Sequence, residues 1–324
     1  MKLTILLLNM RRRVYFLKKL KEELSNTPHK IIYVDSNNLD PMKNYADEFI
    51  VLNDKDANFV TNLFDLCVKK DVNLVIPWLD SDINLLSSNN YLFQAGNISL
   101  AIPDSEFIEI SNDKFITYDW LSQKNIPTPL SFKLSKDNHE YFSLKKTNTY
   151  NFPLIAKPRF GQGSRNVIKL NNASEYENFA NKISDDYLVQ NFLPGKELTI
   201  DVCWYRNQIY FCVPRLRLKV RGGESMISKV VKTKSIEILS KKICSFFDEP
   251  LLFNFQVIYD ELNNPKVIEI NPRFGGGSDL SIHSGANIPR AILKIYLNLG
   301  CLHKDKIENN IIMSRYFHSE FFKS

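Results

Sequence analysis

Residues 3–8 (LTILLL) form an unbroken apolar run, and Val14, Leu17, Leu20 and Leu24 follow at helical spacing. Apolar runs recur at 31–34, 49–52, 72–77 and 100–102, with a second helical pattern at 58–69. Short buried strands alternating with helices of this length predict a parallel sheet covered on both faces. A dinucleotide-binding sheet would carry GxGxxG after its first strand, but the chain reads Asn9-Met10-Arg11-Arg12-Arg13, without glycine. A capped helix is expected at 111–124, with Ser111 as N-cap and Asp113 in its first turn. Ile126-Pro127-Thr128-Pro129 then closes the first half, which places a boundary near 110–130.

The pattern changes beyond a polar stretch at 135–151. Strands are expected at 154–157, 167–170, 187–191, 198–205, 209–218, 252–259 and 266–270. Helices are expected at 173–183, 235–247 and 289–299. Hairpins combined with packed helices indicate α+β architecture.

The 324 residues carry 42 Lys and Arg against 36 Asp and Glu, a net charge of +6. That surplus suits phosphates and other small anions but is too mild to imply nucleic acid. Five cysteines without a CxxC pair signal neither zinc nor a disulfide framework, so reduced thiols in a cytoplasmic protein are expected. The first apolar run is too short for a secretory leader, and no run approaches the ~18 residues that span a membrane. Glycine is scarce, 11 residues in all, while asparagine is abundant. Seven of those glycines fall at 161 and 163, 222 and 223, and 275–277, where the backbone needs unusual torsions or a close approach.

Chemistry concentrates at Val267-Ile268-Glu269-Ile270-Asn271-Pro272-Arg273, just before the glycine triplet. On a strand, Glu269, Asn271 and Arg273 share one face, while Ile268 and Ile270 are expected to face the core. A carboxylate and an amide oxygen so spaced, with Gln256 on the preceding strand, form a hard-oxygen set suited to Mg²⁺. Lys157 at a strand end, followed by Gly161-Gln162-Gly163-Ser164, offers a cation and free backbone N–H groups to phosphate oxygens. The spacing is not that of a P-loop.

Six segments in order resemble the ATP-grasp superfamily. They are Asn112-Asp113-Lys114, residues 153–158 (PLIAKP), Gly161 to Ser164, residues 189–197 (VQNFLPGKE), Gln256, and Glu269 to Arg273. The chain is most similar to the branch of the carbamoyl-phosphate synthetase large subunit and biotin carboxylase. The resemblance implies a parallel α/β pre-ATP-grasp domain over 1–110, then a two-lobed ATP-grasp fold over 111–324. The small lobe would occupy about 125–195 and the large lobe about 196–324. By the same resemblance, Lys114 and Lys157 contact nucleotide phosphates under a flap of Gly161, Gly163 and Ser164. Gln190, Phe192 and Leu193 form the adenine hinge, although the family usually has an acid where Gln190 stands. Glu197 binds the ribose hydroxyls, Gln256, Glu269 and Asn271 hold Mg²⁺ or Mn²⁺, and Arg273 stabilises charge on the transferred phosphoryl group.

This implies an ADP-forming ligase that activates a small-molecule carboxylate as an acyl phosphate for attack by an amine or ammonia. Phosphoryl transfer to a non-carboxylate acceptor, or nucleotide binding without catalysis, are the alternatives. Carbamoyl-phosphate synthetase and biotin carboxylase are larger, so a stand-alone ligase is expected; a homodimer is the commonest assembly. Arg215, Arg217, Lys219 and Arg221 alternate with apolar residues as one basic strand face, a candidate for substrate anions, with Arg221 the foremost and a catalytic candidate. That face lacks the interleaved aromatics of nucleic-acid platforms. Gly276, Ser278 and His283 are expected near the acceptor pocket, His283 as a packing residue. Asp80 and Asp82 follow a strand that could lead to the cleft, but helix capping is the favoured role for both.

Overall fold

A computed structural model describes residues 2–134, 151–161, 163, 166–183, 186–316 and 318–321. The polar stretch at 135–150 and Ser164 lie outside the described residues.

The first sheet is parallel and built from β1 (Leu3–Leu8), β2 (His29–Asp35), β3 (Glu48–Val51), β4 (Leu74–Pro77) and β5 (Ser99–Leu100), in the order β3-β2-β1-β4-β5. The helices among these strands are α1 (Val14–Glu23), α2 (Phe59–Lys69), α3 (Asp80–Ser88) and α4 (Asn90–Ala95). Next come α5 (Ser105–Asn112) and α6 (Lys114–Gln123). The expected single helix at 111–124 is therefore two. Asp113 breaks them, its carboxylate accepting from Phe115 N at 2.9 Å as the cap of α6. Ser111 lies inside α5 and donates to the Phe107 carbonyl instead of capping.

A small antiparallel sheet follows, β6 (Ser131–Leu134), β7 (Leu154–Pro158), β8 (Ile168–Leu170) and β9 (Tyr187–Asn191), ordered β6-β9-β7-β8 and covered by α7 (Ala173–Ala180). The third sheet is antiparallel: β10 (Glu197–Tyr205), β11 (Gln208–Arg221), β12 (Glu224–Val230), β13 (Leu251–Tyr259), β14 (Pro265–Asn271) and β15 (Ile312–Ser314), ordered β14-β13-β10-β11-β12-β15. Helices α8 (Lys234–Cys244), α9 (Ser278–His283) and α10 (Ile288–Tyr296) pack on it.

Two of the three sheets share a core. Leu3, Ile5 and Leu7 of β1, Phe16 and Leu17 of α1, and Ile292 of α10 form one buried cluster with Cys203, Phe211 and Val213 of the third sheet. Arg290 of α10 ties to Glu23 of α1 at 3.0 Å across the same junction. The opposite face of the third sheet buries Ile200, Phe253 and Phe255 against α8 and against Phe107 and Leu121 of α5 and α6. The small sheet has a core of its own, around Leu134, Leu154, Tyr176 and Val189.

Asparagine takes the place of the scarce glycine. Of twelve non-glycine residues with positive φ among the described residues, eight are asparagines, including Asn97, Asn125, Asn207 and Asn263. A short polar side chain that bonds its own backbone tolerates the left-handed region, as longer or branched ones do not.

Among the described residues no helix is long and apolar enough to cross a membrane. Asp82 does not cap α3; it is buried, accepts from Asn9 Nδ2 at 2.9 Å, and burial raises its carboxyl to about 6. Its folded pKa thus exceeds the unfolded one. Its stabilising contribution is complete below pH ~4 and fades as the pH rises through about 6. Asp82→Asn should therefore flatten the fall in stability between pH 4 and 6.5. Urea unfolding at both ends of that window should show the variant gaining on the order of 2–3 kcal/mol relative to wild type.

Candidate active site

One cleft of 1810 Å³ lies among the three sheets. Its floor is a face of the third sheet, and strand alternation decides which side chains reach it. The register sets Gln256 opposite Glu269 and Asn254 opposite Asn271, and Thr199 of β10 is opposite Gln256. Between Gln256 and Val257 the register shifts by one residue. This bulge corrects the expected alternation: Val267 and Ile270 are buried, while Ile268 is only half-buried and lines the cleft. Bulges re-aim side chains in this way.

The cleft brings together Lys114, Lys157, Gly161, Gly163, Gln190, Phe192, Leu193, Glu197, Arg215, Arg217, Arg221, Gln256, Glu269, Asn271, Arg273 and Gly276. Ser278 does not line it; as the first residue of α9 it is buried beneath. His283 stands outside, 3.3 Å from the Tyr15 hydroxyl.

Lys157 Nζ donates to the Ile268 carbonyl at 2.8 Å, and burial lowers its pKa to about 8 against the opposing pull of Glu269. Lys114 Nζ donates to the Gly161 carbonyl at 2.7 Å, tying α6 to the glycine loop. That loop crosses to the third sheet. A Cβ on Gly223 would stand 2.6 Å from the Gly163 carbonyl carbon, and both glycines have positive φ, 76° and 74°. Gly222 and Gly223 form the turn between β11 and β12, so two of the glycine clusters meet each other. At the hinge, Gly195 N donates to the Tyr259 carbonyl at 3.1 Å. The Lys169 ammonium lies 4.2 Å from the centre of the Phe192 ring.

The oxygen donors are neighbours. In the amide orientation its surroundings require, Gln256 donates to Glu269 Oε2 at 3.0 Å and accepts from Arg217 Nη1 at 3.3 Å. Asn271 Nδ2 donates to Asn254 Oδ1 at 3.2 Å, which commits its nitrogen to Asn254. Among the described residues no group of three His, Cys, Asp or Glu is placed to hold a metal. One carboxylate and two amides form a set that fits a hard cation completed by phosphate oxygens and water, and not an all-protein cage.

The basic face expected along β11 is not a free one. Arg215 is fully buried and forks onto Asp201, at 2.9 Å from Nε and 3.0 Å from Nη2. Ser281 Oγ donates to the same carboxylate at 2.5 Å. Arg217 pairs with Glu197, the expected ribose carboxylate, and donates to the Gly223 carbonyl at 2.6 Å. Register shifts on both sides of Lys219 then turn the strand outward, leaving Arg221 exposed at the cleft rim.

Arg273 is gripped by Asp80, the first residue of α3, with its second contact at 3.1 Å. Asp80 therefore holds a cleft arginine from behind rather than capping a helix, without lining the cleft itself. The sequence did hold a signal for this, an acid directly beyond a parallel strand end. Arg315, which also lines the cleft, carried no such signal.

Residues 184–316 match the family described as "ATP-grasp in the biosynthetic pathway with Ter operon", and residues 5–101 match the PylC-like N-terminal domain. The uncharacterized protein MG011 of Mycoplasma genitalium is 28% identical over 164 residues, 51% of this chain and 48% of that protein. A carbamoyl-phosphate synthase of Methanobrevibacter smithii is 23% identical over 146 residues, 44% of this chain and 38% of the synthase. The matches thus span about half or less of these curated relatives. Among solved structures, the biotin carboxylase domain of Hydrogenobacter thermophilus 2-oxoglutarate carboxylase, in complex with MgADP and bicarbonate, superposes with a TM-score of 0.73. It is 15% identical, with 95% of this chain and 73% of that chain covered. At this identity the likeness is one of fold.

A Cβ on Gly277 would fall 2.2 Å from Arg215 Nη1, on a guanidinium already locked by Asp201. Gly277→Ala should therefore destabilise the chain by about 1–3 kcal/mol, an overpacking effect readable in chemical denaturation.

Proposed function

We propose that this chain, with its ATP-grasp domain behind a PylC-like N-terminal domain, is an ADP-forming ligase that joins a small carboxylic acid to an amine or ammonia. The observation that carries this reading is convergence. Lys114, Lys157, Gln256, Glu269, Asn271 and Arg273 come from three separate structural layers, yet line one cleft. Solvated surface decoration would have no reason to converge, whereas phosphoryl transfer depends on positioned cations and oxygen ligands more than on a protein nucleophile.

In this reading the adenine lies along Gln190 to Leu193, with Lys114 and Lys157 on the phosphates and the Gly161–Gly163 loop above. Gln256, Glu269 and Asn271 would hold Mg²⁺, which supplies charge neutralisation at the phosphate oxygens. A substrate carboxylate oxygen forms a bond to the γ-phosphorus as the bond to the β,γ-bridging oxygen breaks, giving an acyl phosphate and ADP. The amine nitrogen then bonds to the acyl carbon, phosphate departs, and the nitrogen gives up a proton. Arg273, which Asp80 holds, would meet the charge of the moving phosphoryl group. Arg221, exposed at the rim, meets the acceptor.

ATP turnover with panels of carboxylates and amines should release ADP and phosphate together. AMP would exclude the acyl-phosphate route, and ADP with a stable phosphorylated product would indicate a phosphotransferase. Glu269→Ala should abolish turnover, a loss of ~10³-fold or more, while circular dichroism and melting stay those of wild type. Arg221→Ala should raise the KM for the acceptor while leaving nucleotide affinity within about twofold. Equal losses in both would remove Arg221 from the acceptor's surroundings.

A further inference from the structure

The loop Asn9 to Arg13 remains without a role in that reading. It leaves the middle of the parallel sheet where the strand order reverses between β1 and β4, the place where open α/β sheets bind ligands. Asn9, Arg11 and Arg12 all have positive φ, 50°, 38° and 54°. Asparagine is this chain's usual residue for such torsions; arginine otherwise takes one only at Arg206, in the tight turn between β10 and β11, among the described residues. Strain of this kind persists where the surroundings impose it, often at a functional site. Here Asn9 is pinned through its side chain to Asp82 and through its N–H to the Val34 carbonyl.

The strained loop delivers Arg12 and Arg13 to the cleft wall. The Arg13 side chain is only 13% exposed, its Nε has no partner among the described residues, and its nearest carboxylate oxygen, Glu224 Oε1, is 3.8 Å away. Arg12 stands 4.0 Å from that same oxygen. Arg315 approaches from β15, 3.3 Å from Glu224 and 3.4 Å from Asp279. Three guanidinium groups therefore divide two carboxylates, and the most buried of them has no close hydrogen-bonded acid. A Cβ at position 276 would sit 2.9 Å from Arg13 Nη2, so Gly276 is what lets this arginine lie against the cleft floor. Burial also presses the Arg13 pKa down, a mark of a cation short of compensation.

We infer that Arg13, with Arg12 and Arg315, holds a second anionic group on the acid substrate, a carboxylate or phosphate distinct from the carboxylate that becomes phosphorylated. The identity of the ligand as substrate rests on the ligase reading; the anion site itself does not. The substrate is then an acid with two anionic groups, recognised at its far end by arginine forks.

Isothermal titration calorimetry on the full chain, with and without saturating MgADP, tests this using acetate, glutarate and 3-phosphoglycerate as probes. Wild type should bind glutarate, 3-phosphoglycerate or both ~10-fold or more tighter than acetate. Glutarate preference marks a carboxylate at the site and 3-phosphoglycerate preference a phosphate. Arg13→Gln should bring the favoured two-headed anion down to the acetate level, Arg13→Lys should recover part of the difference, and MgADP affinity should stay within about twofold. Arg12 is well exposed, so Arg12→Gln keeps the fold and should still weaken that anion ~3-fold. Two-headed anions no tighter than acetate, or their full preference retained in Arg13→Gln, or in Arg12→Gln should the former fail to fold, overturn the inference. Failure of wild type to bind MgADP would count against the ligase reading alone, because the anion preference is also read without nucleotide.

Discussion

The bidentate pair between Arg215 and Asp201 sits where the third sheet changes character. On one side of it, Cys203, Phe211 and Val213 are sealed against α9, α10 and the parallel sheet. On the other, Thr199, Arg217, Gln256 and Glu269 line the cleft. A single sheet face cannot pass directly from dry core to charged site without stranding a polar group, and an uncompensated buried charge is among the most destabilising defects known. The fork, closed by Ser281 on the same carboxylate, completes its own hydrogen bonding at that seam. Gly277 then lets the following chain pass directly over the guanidinium. The glycine triplet is thus a packing device as much as a loop, fitted over Arg215 at 277 and under Arg13 at 276.

The same seam explains how the parts are coupled. Because the parallel sheet and the third sheet share one core, rearranging one against the other would expose apolar surface on both. The small sheet buries its residues separately and meets the rest through polar ties, such as Arg159 bridging Asp113 and Asp186 and Lys114 on Gly161. The oxygen donors and Arg273 belong to the larger platform, whose buried clusters hold them in position. Donors held in position before the charge develops are what preorganised electrostatics requires.

Strand alternation and the order of short motifs made much of this legible beforehand. Glu269 and Asn271 share a face because β-strands alternate, and Gln256 joins them because the hairpin at 251–271 pairs in the expected sense; Arg273, expected on that face, lies two residues beyond the end of β14 and reaches the cleft from the following turn. Alternation failed where the backbone departs from it. The bulge at Gln256 and Val257 turned Ile268 toward the cleft, and the shifts around Lys219 broke up the basic strand. Partners distant in sequence were also out of reach of pattern reading. Nothing near Arg215 announces Asp201, and the strand end before Asp80 points that acid toward the cleft without naming its partner, Arg273, 193 residues later. Helix α4 and strand β12 went unanticipated, and α3 was implied only through its expected caps, because their polar and apolar positions are too mixed to show a clear period. The split between α5 and α6 turned on whether Ser111 or Asp113 caps, two plausible caps two residues apart.

Charge pairing gives the cleft a polarity along its length. Cations outnumber carboxylates by about two to one in its lining, but they are not equally engaged. Arg215, Arg217 and Arg273 each have a dedicated acid, Asp201, Glu197 and Asp80. Lys157, facing Ile268, and Lys114, facing Gly161, are held by neutral carbonyls. Arg12 and Arg13 stand 3.8–4.0 Å from a single shared carboxylate. The under-compensated charge thus gathers at two places, the glycine loop beside the small sheet and the strained loop of the parallel sheet. A cleft with one cationic patch would suit a nucleotide alone. Two patches on separate loops, with the guanidinium groups of the floor already paired to acids, suit two anionic ligands in one cleft, which is what transfer of a phosphoryl group from one to the other demands.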